Sequence, residues 1–199
     1  DRYVSRAGLK LAAALKVFAL DPAGSTVLDV GASTGGFTDC ILQHGAARVV
    51  SLDVGHGQLH HRLKNDPRVT SLEGVNARAL SNEFAAQYSE AGFDIVVMDV
   101  SFISQTLILP ALPAVMADKA YLLSLVKPQF EVGPEGLGKG GIVKSEHLRS
   151  RALMAVTECA QAQGFIDIQT IVSPILGGDG NEEFLMLARW CGEKDVAYA

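Results

Sequence analysis

No run of 18 or more apolar residues occurs in the 199-residue sequence, so nothing in it reads as a membrane-spanning helix. The first ten residues carry charges where a signal peptide would be apolar, which argues against secretion. Cysteine is sparse: Cys40, Cys159 and Cys191 cannot all pair, and no two stand at a metal-ligand or redox spacing. A reducing cytoplasm suits such a chain. Positive charge is also short, with Lys+Arg 17 against Asp+Glu 22 and a net charge of −5. That balance excludes a wholly basic nucleic-acid-binding surface, though not a local patch. Of the histidines His44, His56, His60, His61 and His147, only three cluster, and no cysteine or acid completes a ligand set, so no metal is expected. No G-x-S-x-G elbow surrounds Ser33 or Ser101, which sets acyl transfer aside.

What is present is the composition of a globular protein, 48% hydrophobic and 20% charged. A chain of this length buries roughly 70% of its unfolded surface and needs no staple. We find no repeat, low-complexity tract or long linker, so one domain over 1–199 is expected. Two segments are locally basic: Arg2, Arg6, Lys10 and Lys16 face only Asp1, and Lys139, Lys144, Arg149 and Arg151 face only Glu146.

Short β-branched runs alternate with stretches of helical period, which predicts an α/β fold with a mostly parallel sheet. Strands are expected at 26–30, 48–53, 69–73, 93–99 and 120–126. Helices are expected at 5–20, on the Leu11, Leu15, Phe18 stripe, at 35–44, and at about 103–116, interrupted by Pro110 and Pro113. A last helix at 146–163 shows a stripe of Leu148, Ala152, Ala155 and Cys159 and stops at Gly164. Segments 166–172 and 183–190 are joined too closely for a parallel crossover and should pair antiparallel.

Asp29-Val-Gly-Ala-Ser-Thr-Gly-Gly36 leaves the first strand and enters a helix, where glycines let backbone N–H groups approach a ligand. Asp53, closing the second strand, stands where an acid takes ribose hydroxyls. A tight turn followed by a surface carboxylate would give the same pattern. Ser33 replaces the second glycine of a dinucleotide loop, and the P-loop lysine is missing, so an adenosine ligand without phosphate fits best. S-adenosylmethionine is such a ligand, with Asp29 and Asp53 as acids near its sulfonium. At the same sheet edge lie Asp99, Lys127 and Glu183. Apolar surroundings lower a lysine's pKa and carboxylates raise it, and that balance decides whether such a lysine acts or is only solvated. Lys10, off the apolar stripe of its helix, reads equally well as a surface lysine.

Seven blocks carry a family likeness: Tyr3-Val-Ser-Arg-Ala-Gly-Leu-Lys-Leu11, Asp29 to Asp39, Asp53-Val-Gly-His-Gly-Gln-Leu59, Asp99-Val-Ser-Phe-Ile-Ser104, Leu125-Val-Lys-Pro-Gln-Phe-Glu131, Gly138-Lys-Gly-Gly141 and Gly180-Asn-Glu-Glu-Phe184. Together they resemble the TlyA family, known as hemolysins and as ribosomal RNA 2′-O-methyltransferases. The resemblance implies a Rossmann-like methyltransferase domain of the FtsJ-like type, with a seven-stranded sheet, an antiparallel last strand and helices on both faces. It implies S-adenosyl-L-methionine as cofactor and ribosomal RNA or a ribosomal subunit as partner. The family's small N-terminal RNA-binding domain is expected to be absent here. The family's catalytic set falls on Lys10, Asp99, Lys127 and Glu183, with Glu182 adjoining the last. Cofactor contacts fall on Gly31, Ala32, Ser33, Gly35, Gly36, Asp53, Asn76 and Asp99. The basic segments would meet RNA, and the stretch 133–141 would act as a flexible lid over it. A membrane-active hemolysin and a non-catalytic cofactor or RNA-binding module remain as alternatives.

Overall fold

The computed structural model describes residues 2–192. Helix α1 (Ala7–Val17) precedes β1 (Thr26–Val30), α2 (Gly36–Gln43), β2 (Arg48–Leu52), the short α3 (His61–Lys64) and β3 (Val69–Leu72). Then follow α4 (Asn82–Tyr88), β4 (Phe93–Met98), β5 (Met116–Val126), α5 (Glu146–Ala162), β6 (Ile166–Val172) and β7 (Phe184–Trp190). The strands form one sheet in the order β3-β2-β1-β4-β5-β7-β6. β7 runs antiparallel to both its neighbours, and the other pairings are parallel.

Alternation along the central strands divides the core into two layers, because successive side chains leave a strand on opposite faces. Val27, Val49, Ile95, Val97, Leu123 and Leu125 pack with Leu11, Leu15, Phe37 and Ile41 of α1 and α2. Leu28, Val50, Val96, Met98 and Leu122 pack on the other side with Ala85 of α4 and Val156 and Ala160 of α5. Near-continuous apolar runs in β1, β4 and β5 are what a sheet covered on both faces requires.

Three expectations are corrected. The segment expected as a helix over 103–116 forms separate 3-10 turns at Gln105–Leu107, Leu109–Ala111 and Pro113–Val115. Pro110 and Pro113 each lie in the first positions of a turn, where a missing N–H is tolerated, while their rings bar the preceding residues from a continuous helix. β5 accordingly begins at Met116, four residues earlier than expected. On α5 the buried stripe is Ala152, Val156 and Ala160, with Ala155 exposed; the small residues face the sheet and the larger Leu148 stays at the margin.

Candidate active site

The strand order reverses between β1 and β4, and in such sheets the ligand crevice opens beyond the carboxyl ends of the strands at that point. Gly31 leaves β1 with φ +80, and the carbonyl of Leu52 accepts from both Gly31 N–H and Ala32 N–H at 2.9 and 3.0 Å. Ser33, at φ +52, donates its N–H to Asp53 Oδ2 at 2.6 Å, and Gly55 N–H reaches Oδ1 of the same carboxylate at 2.8 Å. Gly35 N–H is taken by Ala32 O at 2.9 Å. The expectation of a cradle of free loop amides therefore needs revision: the amides of residues 31, 32 and 33 tie the loop to Leu52 and Asp53 at the end of β2, and that of Gly35 closes a turn within the loop. The loop offers a surface of fixed shape. Gly35 and Gly36 serve packing, since a Cβ at the first would strike Leu63 and at the second the Ser5 hydroxyl.

Beside this loop lies a cavity of about 370 Å³, lined on one side by Val54, Val75, Ala77, Val100 and Ile103 and on the other by Gly31, Ser33, Asp53, Asn76 and Asp99. A second cleft, of about 440 Å³ under the start of α1, shares Gly31, Ser33 and Asp99 with it. The volume suits a nucleoside-sized ligand. Asn76 is exposed and caps a 3-10 turn by accepting Arg78 N–H at 3.0 Å, so its amide N–H₂ is the part directed to other use. Apolar walls together with the carboxylates of Asp53 and Asp99 at the cavity margin fit S-adenosylmethionine, whose sulfonium is drawn to acids.

Beneath the loop, Asp29 is fully buried; Thr38 Oγ1 donates to its Oδ2 at 2.6 Å and sits 2.7 Å from Ser51 Oγ, while Oδ1 has no partner. Burial pushes this carboxyl from 3.8 up to about 7, the Thr38 bond opposing and the nearby Asp99 and Asp53 charges adding to the rise. Between about pH 4 and about pH 7 the folded chain thus keeps a proton that the unfolded chain has lost, so this group lowers stability as pH rises through that window and no further above it. Thermal scans are expected to show Asp29→Asn gaining on the native chain as pH rises from about 4 to about 7 and then holding a constant lead. A lead independent of pH would contradict this assignment.

The lysines fall into two pairs. Lys127 Nζ lies 2.5 Å from Asp99 Oδ1 and donates to Ser101 Oγ at 3.0 Å. Lys10 Nζ donates to Glu183 Oε1 at 2.7 Å, with both residues buried. The reading of Lys10 as a surface lysine is thereby corrected: α1 is buried along Gly8, Lys10, Leu11, Ala14 and Leu15, because it packs against both α2 and β7. The register Val126↔Phe184 sets Lys127 and Glu183 opposite each other just past the paired ends of β5 and β7. Glu183 is 2% exposed, whereas Glu182 points outward near Arg149, at 3.8 Å.

Other features escaped the sequence. Phe102, three residues after Asp99, is 89% exposed with φ +65, at the cavity wall and 4.8 Å from the Phe130 ring. No sequence pattern announces a phenylalanine held in a left-handed conformation. Glu131 accepts Ser104 Oγ at 2.6 Å and Gln105 N–H at 2.9 Å, tying the segment after β4 to the end of β5. Asn181, 2% exposed, accepts Val143 N–H at 2.9 Å and donates to Gly141 O at 3.0 Å. The glycine-rich stretch 133–141 expected to be a loose lid is therefore laced to the turn before β7, and its Leu137 bridges Val143 just beyond it. Of the basic residues, Arg6 is tied to Leu176 O at 3.2 Å and Lys144 to Glu135 O at 3.0 Å, while Lys16, Lys139 and Arg151 stand exposed.

The family model for FtsJ-like methyltransferases matches residues 3–190. The 16S/23S rRNA (cytidine-2′-O)-methyltransferase TlyA of Mycobacterium tuberculosis is 46% identical over 187 residues, covering 94% of this chain and 68% of that protein. A solved structure described as a hemolysin from Streptococcus thermophilus superposes with a TM-score of 0.89 at 42% identity, covering 100% of this chain and 74% of the other. An S-adenosylmethionine-dependent methyltransferase from Mesorhizobium loti shares the fold at 15% identity, with a TM-score of 0.63 over 90% of this chain and 97% of that one.

Proposed function

The chain belongs to the FtsJ-like methyltransferase family, and from that membership we propose that it methylates a ribose 2′-hydroxyl of ribosomal RNA with S-adenosylmethionine as donor. The observation that carries this reading is the double lysine–carboxylate arrangement, Lys127 with Asp99 and Lys10 with Glu183, at the sheet end beside the nucleoside-sized cavity. The TlyA relative's name specifies cytidine-2′-O-methylation of ribosomal RNA, and a ribosomal substrate puts the enzyme in the cytoplasm. Membrane activity, the other reading, finds no helix among the described residues long and apolar enough to cross a membrane.

When bound, the cofactor supplies an electrophilic methyl group on a sulfonium. Asp53 would accept a ribose hydroxyl, its carboxylate keeping lone pairs beyond those used by Ser33 and Gly55. Val54, Val75, Ala77, Val100 and Ile103 would enclose the adenine. The 2′-hydroxyl that would receive this methyl group must give up its proton. Lys127, anchored by Asp99 and Ser101, orients the hydroxyl, and acceptance of its proton by the Lys127–Asp99 pair is typically worth about 10²–10⁴-fold. Alignment of the two partners contributes more, about 7–11 kcal/mol in favourable cases. Glu183 and Lys10 brace the rear of the site.

The test is tritium transfer from labelled cofactor to ribosomal subunits and to naked ribosomal RNA, followed by mapping of the modified ribose. Label on a base, on protein or nowhere overturns the proposal. Phe102 is the natural platform for the target base. Phe102→Ala is expected to raise KM for RNA about 5- to 150-fold, the value of one stacked base, with cofactor affinity unchanged. Steady-state kinetics at saturating cofactor measure it.

A further inference from the structure

Immediately after Lys127 the chain makes a 3-10 turn, Pro128–Phe130, with Phe130 N–H on Lys127 O at 3.0 Å and Glu131 N–H on Pro128 O at 2.9 Å. The turn carries Gln129 back over the start of β7. Gln129 is 7% exposed, and its Nε2 donates to Glu183 Oε2 at 3.0 Å. A carboxylate only accepts, so the amide orientation is fixed by Glu183. The two carboxylate oxygens are thus divided, Oε1 to the Lys10 ammonium and Oε2 to the Gln129 amide. The backbone of Gly177 closes a further side, since a Cβ there would lie 2.6 Å from Oε2.

We propose that Gln129 is a positioning residue that locks the Glu183 carboxylate, and through it the Lys10 ammonium, in register with Lys127 on the same turn. The inference rests on the methyltransferase reading of this site. A buried carboxylate must have its charge matched by donors, and the single ion pair with Lys10 reaches only one of the two oxygens. Gln129 supplies the second donor without adding charge, so Lys10 need not straddle both oxygens. The remaining amide oxygen of Gln129 is itself buried with no partner, an unfavourable state that a methionine of similar volume would avoid. What methionine would lose is the bond to Glu183. Because Lys127 and Gln129 are two residues apart on one short turn, displacement of either lysine–carboxylate pair is transmitted to the other.

The experiment compares native protein, Gln129→Met, Glu183→Gln and the double variant in single-turnover methyl transfer to ribosomal subunits, with cofactor affinity measured separately. Gln129→Met is expected to slow transfer about ten- to hundredfold, the value of a hydrogen bond to a charged group, with cofactor affinity unchanged. In the Glu183→Gln background the same change is expected to add almost nothing, which a packing role would not produce. Gln129→Asn, which keeps the amide but withdraws it by one methylene, should lose rate likewise and serves if the methionine variant folds poorly. An undiminished rate, or losses that multiply independently, overturns the proposal. If native protein transfers no methyl group to any ribosomal particle, the methyltransferase reading fails, and Gln129 is then judged by nitrogen-15 NMR of the lysine ammonium groups. The Lys10 signal is expected in native protein and lost in Gln129→Met; an unchanged signal refutes the lock.

Discussion

Replacing Lys127 by alanine is expected to abolish measurable methyl transfer while cofactor affinity stays as in the native protein. Lys127 stands beyond the last residue of β5, outside both core layers, and its contacts are Asp99 and Ser101. Its removal leaves the apolar cavity wall, Asp53 and Asn76 untouched. Loss of the group that receives the proton alone costs about 10²–10⁴-fold, and the orientation of the hydroxyl is lost with it. Lys127→Arg separates the two contributions. Guanidinium keeps a positive charge beside Asp99 but does not give up its proton in a protein, so proton acceptance predicts an arginine variant as inactive as the alanine one. Single-turnover transfer from labelled cofactor and equilibrium dialysis measure rate and affinity in parallel. Near-native turnover in Lys127→Ala would remove Lys127 from the mechanism.

Gly31→Ala is expected to eliminate cofactor binding and to lower the thermal midpoint. Two independent costs meet at this position. At φ +80 a side chain is strained, typically by about 1–3 kcal/mol, and the new Cβ would be driven into the carbonyl oxygen of Asp99 and to 2.9 Å from Val100 Cγ1. That carbonyl cannot retreat freely, because Asp99 N–H is bonded to Val30 O at 3.0 Å. The ends of β1 and β4 must therefore part at the point where the strand order reverses, and the cavity loses its floor. Gly24→Ala is the control: it has a similar φ of +75 but open space around its Cβ, so backbone strain of about 1–2 kcal/mol is its whole effect. Calorimetric titration with the cofactor and thermal scans of both variants distinguish the cases; native affinity in Gly31→Ala refutes the argument.

The central strands β1, β4 and β5 were legible because they are buried on both faces and so read as near-continuous apolar runs. Residues 103–116 carry a similar density of apolar side chains, but the two prolines count for more there than the period does. Lys10 was obscured because α1 is buried on more than one side, and a search for a single apolar stripe assigns its other buried face to solvent. Sequence position alone left Glu182 and Glu183 one residue apart; the register of β7 against β5 separates their directions. Gln129 and Asn181 carried no signal at all, since a polar residue earns its place there through a partner more than 35 residues away in sequence. The family likeness supplied the roles of Lys10 and Glu183, which spacing alone had not.

β7 enters the sheet between β5 and β6 in the reverse direction, so Glu183 reaches the crevice from the beginning of a strand while Asp99 and Lys127 reach it from the ends of theirs. Lys10 and its acid are separated by 173 positions. The residues lining the nucleoside cavity all lie before position 109, yet the rear lysine stays unmatched until nearly everything has been synthesised and the final hairpin has slotted into place. Competence for chemistry therefore reports complete folding.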